Sequence, residues 1–121
     1  MDFEFFGSGQ HAVSAEGAAG MVGRKDVFFL DVRTREEDAC VRFPFAVNIP
    51  VNELPDRMAE LPDDRTIVII CSTIFRSAVV WAYLRSRGFE RVKGLAGTTE
   101  QMAAAFKPGP LYKTARNVQP S

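Results

Sequence analysis

The sequence predicts an α/β fold, a parallel sheet of about five short strands flanked by helices on both faces. Three observations carry that expectation. Short apolar runs rich in β-branched and aromatic residues, residues 27–30 and 66–70 above all, read as strands buried on both sides. Segments of helical periodicity alternate with them, most bounded by cap or stop residues. Connections of this length between strands suit right-handed crossovers, which make neighbouring strands parallel. With 121 residues and 46% apolar content there is room for one modest core and not for two ordinary domains.

His11-Ala12-Val13 reads as a brief strand, and Ser14 as the N-cap of a helix of small residues over 15–22, stopped by Gly23. Val27-Phe28-Phe29-Leu30 follows as a buried strand closed by Asp31-Val32-Arg33. Thr34 and Glu37 stand at capping-box spacing, which starts a short helix, and Pro44 returns the chain to extended structure. Val47-Asn48-Ile49 is a short strand. A helix over 52–61 then places Leu54, Met58 and Leu61 on one face.

Thr66-Ile67-Val68-Ile69-Ile70 is the strongest strand signal, with Cys71 at its carboxyl end. A helix over 77–87 carries Val80, Trp81 and Leu84 at helical spacing, so Trp81 reads as packing, and Gly88 caps it. Residues 89–95 form the last strand and 97–106 the last helix, before Pro108-Gly109-Pro110. The domain is expected over 11–106, with 1–10 an N-terminal extension and 107–121 a polar C-terminal tail.

Composition narrows the function classes. Fifteen basic and fifteen acidic residues cancel, so no nucleic-acid partner and no membrane surface is implied. The N-terminus has neither a basic region nor an apolar run of signal-peptide length, and no stretch approaches a membrane span, which leads to the expectation of a cytoplasmic chain. Two cysteines without CxxC spacing and a single histidine, His11, give no pattern for a metal site or a disulfide framework. No cofactor is called for. Cys40, before Pro44, is expected as small apolar filler rather than as a resolving thiol.

Cys71 is different, because strand, tight loop and helix follow one another around it, with a cysteine opening the loop and Arg76 closing it. Backbone amides from Ser72 to Arg76, with those at the start of the following helix, can converge on the sulfur and stabilise negative charge there. A thiol so held is expected to react as the thiolate. Arg76 can orient the loop or bind an anionic donor, or pair with a local carboxylate such as Asp31 or Glu36. Asp31 and Arg33 are expected as structural residues near the site, and Ser72, Thr73 and Ser77 as loop supports, with a bond into the first helical turn as the alternative for Ser77.

The segment Cys71-Ser72-Thr73-Ile74-Phe75-Arg76 resembles the active-site loop of the rhodanese superfamily, in which a cysteine, four variable residues and an arginine cradle a persulfide. Four further stretches fall in the family's order: Asp31-Val32-Arg33 with Glu36-Glu37; residues 43–50; Arg87-Gly88-Phe89; and Val92-Lys93-Gly94-Leu95-Ala96-Gly97. The resemblance spans about residues 11–106. It implies a rhodanese-like fold and a single-domain sulfurtransferase with Cys71 as catalytic residue and residues Ser72, Thr73, Ile74, Phe75, Arg76 and Ser77 as its substrate-binding loop. The partner so implied is a small sulfur donor or a persulfide carrier.

Related phosphatases place five residues between cysteine and arginine to enclose a phosphate, and the four found here fit a sulfur atom better. Ile74 stands where the family often carries glycine, so this loop either avoids a positive φ or is strained. Val41-Arg42, Phe45 and Thr98 also depart from the family's pattern. An apolar lip formed by Ile74 and Phe75 would favour a thiol or protein persulfide over thiosulfate. The same two residues motivate the alternative, a catalytically silent rhodanese-like binding or regulatory module.

Overall fold

A computed structural model describes residues 12–71 and 74–95 together with Gln101, Ala104 and Ala105, and of Ile74 and Phe75 the backbone only. The expectations for His11, for the 1–10 extension, for Ser72 and Thr73, for the apolar lip, for most of the 97–106 helix and for the 107–121 tail lie outside the described residues. Gln101, Ala104 and Ala105 are themselves helical.

Five strands, β1 (Ala12–Val13), β2 (Val27–Asp31), β3 (Val47–Asn48), β4 (Thr66–Ile70) and β5 (Val92–Leu95), form one sheet in the order β1-β5-β4-β2-β3. Every pairing is parallel, as the apolar runs require. β4 is central. Its five residues pair throughout with β2, from Val27 opposite Thr66 to Asp31 opposite Ile70, and Ile67, Val68 and Ile69 pair with β5 on the other side.

Successive residues of a strand face opposite ways, and the two cores follow from that. Phe29, Val68, Ile70 and Leu95 are buried on one face with Ala15, Ala18 and Phe43. Leu30, Ile67, Ile69 and Val92 are buried on the other with Leu54, Val80 and Leu84. Cys71 continues the alternation of β4 into this second core.

Helix α1 (Ala15–Ala19) begins with Ser14 Oγ accepting from the Gly17 amide at 3.0 Å. It ends earlier than the sequence suggests, at Gly20, and the chain turns on through Met21 and Val22 to Gly23, whose φ of 90° only glycine takes readily. Gly17 has a packing reason: a Cβ there would meet the Val13 side chain at 2.9 Å. Helix α2 (Arg35–Cys40) has the expected capping box, with Thr34 Oγ1 accepting from the Glu37 amide at 3.1 Å and Glu37 Oε1 accepting from the Thr34 amide at 2.9 Å.

Residues Val51–Glu60 are not the regular α-helix expected but a 3₁₀ segment kinked at Arg57. Pro55 supplies the reason, since it has no N–H to donate and its ring excludes an α-helical carbonyl four residues back. The apolar face survives the change, with Leu54 and Leu61 buried and Met58 partly so.

Helix α3 (Ile74–Ser86) starts three residues before the expected Ser77, so Ile74, Phe75 and Arg76 form its first turn. Its far end is a Schellman cap: the Gly88 amide donates to Arg85 O and the Phe89 amide to Leu84 O, each at 3.1 Å, with Gly88 at φ 97°. Phe89 is thereby occupied by the cap, and β5 begins only at Val92. Trp81 is partly buried, as expected, and its indole Nε1 donates to Val92 O at 3.1 Å. Among the described residues no helix is long and apolar enough to cross a membrane.

Candidate active site

The carboxyl ends of β2, β3 and β4 lie side by side, the place where open parallel sheets receive ligands. Three side chains fix that rim. Arg33 donates to Asp31 through Nε at 2.9 Å and Nη2 at 2.7 Å, a bidentate pair in which both residues are only 1% exposed. The Arg33 amide also donates to Asp31 Oδ1 at 3.0 Å, Asp38 stands 3.5 Å from Nη2, and the guanidinium lies 4.4 Å from the centre of the Phe43 ring. Arg33 and Asp31 are thus held against each other in the interior, at the end of the strand.

Asn48 is the third; it falls in the 43–50 stretch that carries the resemblance, with no role expected of it from the sequence. Its Nδ2 donates to Asp31 O at 3.1 Å and to Arg33 O at 3.0 Å, satisfying two carbonyls where the β2 ladder ends.

Cys71 follows β4 directly and is 1% exposed, packed in the core beneath α3. Ile74 is helical, and among the described residues no non-glycine residue has a positive φ, so the chain avoids the strained conformation by entering the helix early. The amides of a helix's first turn have no acceptor within the helix, so starting α3 at Ile74 brings such donors within a few residues of the cysteine.

Arg76 pairs with neither Asp31 nor Glu36 but with Glu37, Nη1 to Oε1 at 2.9 Å. Both side chains are about one-third exposed, 36% and 32%. The Glu37 hydrogen bond holds the guanidinium above its ordinary range, partial burial opposes it, and charge and hydrogen-bond interactions with the Cys71 sulfur add to the rise. The arginine and a helix-capping carboxylate are therefore one interacting pair.

Ser77 is fully buried and its Oγ has no hydrogen-bond partner among the described residues, so the expected bond into the helical turn is not found there. Cys40 is exposed at the end of α2 and is no core filler, because residues 35–40 bury none of their side chains fully.

Residues 14–105 match the Rhodanese-like domain family. A protein of Allochromatium vinosum named Sulfurtransferase is 41% identical over 73 residues, which cover 60% of this chain and 68% of that one. The rhodanese-like domain protein of Staphylococcus aureus has 26% identity and a TM-score of 0.70, over 77% of this chain and 91% of its own. SSP1007 of Staphylococcus saprophyticus, at 30% identity, has a TM-score of 0.68 over 77% and 93%.

Proposed function

The chain belongs to the rhodanese-like domain family, and from that premise we propose that it is a sulfurtransferase working through a persulfide on Cys71. The observation that carries this is the placement of Cys71 at the carboxyl end of the central strand, with α3 opening at Ile74 and carrying Arg76 in its first turn. The Cys71 thiolate attacks the sulfane sulfur of a donor; a new S–S bond forms, the donor's bond to that sulfur breaks, and the leaving thiolate or sulfite takes the electron pair. A nucleophilic acceptor then attacks the outer sulfur, and Cys71 leaves as thiolate. The amides of Ser72 to Ser77 and the Arg76 guanidinium stabilise the negative sulfur, and the donor is a thiol or protein persulfide in preference to thiosulfate.

Incubation with thiosulfate and with a small persulfide, followed by intact-mass measurement, should show one added sulfur that Cys71→Ser loses and Cys40→Ser keeps. No adduct with either donor overturns the proposal. The burial of Cys71 favours one second reading, a catalytically silent module whose loop is a recognition surface. That reading requires a sluggish thiol, and alkylation of Cys71 at neutral pH faster than a free thiol counts against it.

A further inference from the structure

We propose that Glu37 is a positioning residue for this site, its carboxylate pinned by the start of α2 and holding the Arg76 guanidinium beside the Cys71 loop. The inference rests on the reading of Cys71 as a nucleophile. Its basis is a single oxygen with two jobs. Glu37 Oε1 accepts from the Thr34 amide at 2.9 Å and from Arg76 Nη1 at 2.9 Å, joining elements 39 residues apart. An exposed glutamate ordinarily sweeps several rotamers, and ordering it for an ion pair costs much of what the pair returns. Here the capping box has already ordered it.

The helix that carries Glu37 is itself fastened to the strand end. Arg33, locked to Asp31, reaches Glu37 O with Nη1 at 3.4 Å and Asp38 with Nη2 at 3.5 Å. A chain of contacts therefore runs from the buried Asp31–Arg33 pair through α2 to the Glu37 carboxylate and on to Arg76, five residues beyond Cys71. The pair of Arg57 and Glu60 differs, since both lie within one segment, three residues apart.

The test reads Arg76 through charge selectivity. In a Cys40→Ser background, Cys71 is alkylated with anionic iodoacetate and with neutral iodoacetamide, and the ratio of the two rates reports whether a cation stands at the loop. Arg76→Ala sets the floor. Glu37→Ala should lower the ratio about fivefold, towards that floor, the upper end for a partly exposed charge contact. Glu37→Gln keeps an oxygen that accepts both hydrogen bonds and should leave the ratio at or above the wild-type value. Thr34→Ala weakens the same cap without removing the carboxylate, so it should lower the melting temperature and spare the ratio. If Glu37→Ala proves too unstable, Glu37→Met, of similar length and without an acceptor, gives the same reading.

A ratio unchanged in Glu37→Ala overturns the proposal, because loss of the cap would then be the whole effect. A ratio raised in Glu37→Ala overturns it too, since Glu37 would be screening Arg76 rather than holding it. A reactive Cys71 with either result sinks this inference alone, whereas a wild-type Cys71 that resists both reagents sinks it together with the sulfurtransferase reading.

Discussion

Arg33 follows the end of β2 and Arg76 lies in the first turn of α3, and both reach Glu37, yet they belong to different parts of the protein's physics. Arg33 is almost wholly buried, and its head group is met by Asp31 on two sides, by Asp38, by a carbonyl and by an aromatic face. Arg76 is one-third exposed, fixed by Glu37 on one side, in the first turn of the helix that follows Cys71. A buried cation with its partners supplied holds a strand end in place, and a half-exposed one keeps charge in reserve for something that comes and goes.

The largest effect that could break this comparison is at Arg33. Arg33→Met leaves the Asp31 carboxylate buried without its partner and should cost about 3–5 kcal/mol, a large share of a typical 5–15 kcal/mol stability. Urea unfolding measures it, and a loss below about 1 kcal/mol would mean that the pair is replaceable packing. Arg76→Ala should reverse the balance: a stability change of about 0–1 kcal/mol in the same assay, with sulfur loading of Cys71 strongly slowed. Equal stability losses in the two variants would erase the distinction.

The smallest effect belongs to the surface network of Arg35, Arg57, Glu53 and Glu60. The guanidinium groups of Arg35 and Arg57 hold Glu53 below its usual range, and Arg57 does the same for Glu60. A carboxylate depressed in the folded state contributes stability above the unfolded carboxylate range, and that contribution is lost as pH falls through the lowered value. Urea midpoints for the wild type should therefore drop slightly more than those of Glu53→Gln between pH 6 and about 3, and high salt should narrow the gap.

Much of this was legible in the sequence, for reasons that are local. The β2 and β4 runs are apolar on both faces, and no antiparallel sheet with a wet side would tolerate them, so the parallel sheet followed. Thr34 and Glu37 stand at the spacing of a cap, and the cap is there. What periodicity could not supply was anything set by where two elements meet. The partner of Arg76 was expected to be Asp31 or Glu36; it is Glu37, because the capping oxygen is already aimed towards α3 and Asp31 is saturated by Arg33. The start of α3 was hidden because Ser72 and Thr73, residues of N-cap type ahead of Ile74, also suit a loop that supports the cysteine. Cys40 looked like filler by its type, and only the shallow docking of α2 shows it facing solvent. Asn48 could have been found by asking which side chain closes the carbonyls where β2 ends.

The strand order has one further consequence. β1 and β3, the outermost members of the sheet, are each two residues long, so β5 and β2 are flanked rather than left open. Longer outer strands would offer a row of unmet amides and carbonyls to any other chain with a strand to add. A five-stranded parallel sheet this apolar is a template for self-association, and the brevity of its margins, with the Asn48 amide turned inward to the end of β2, keeps that template closed.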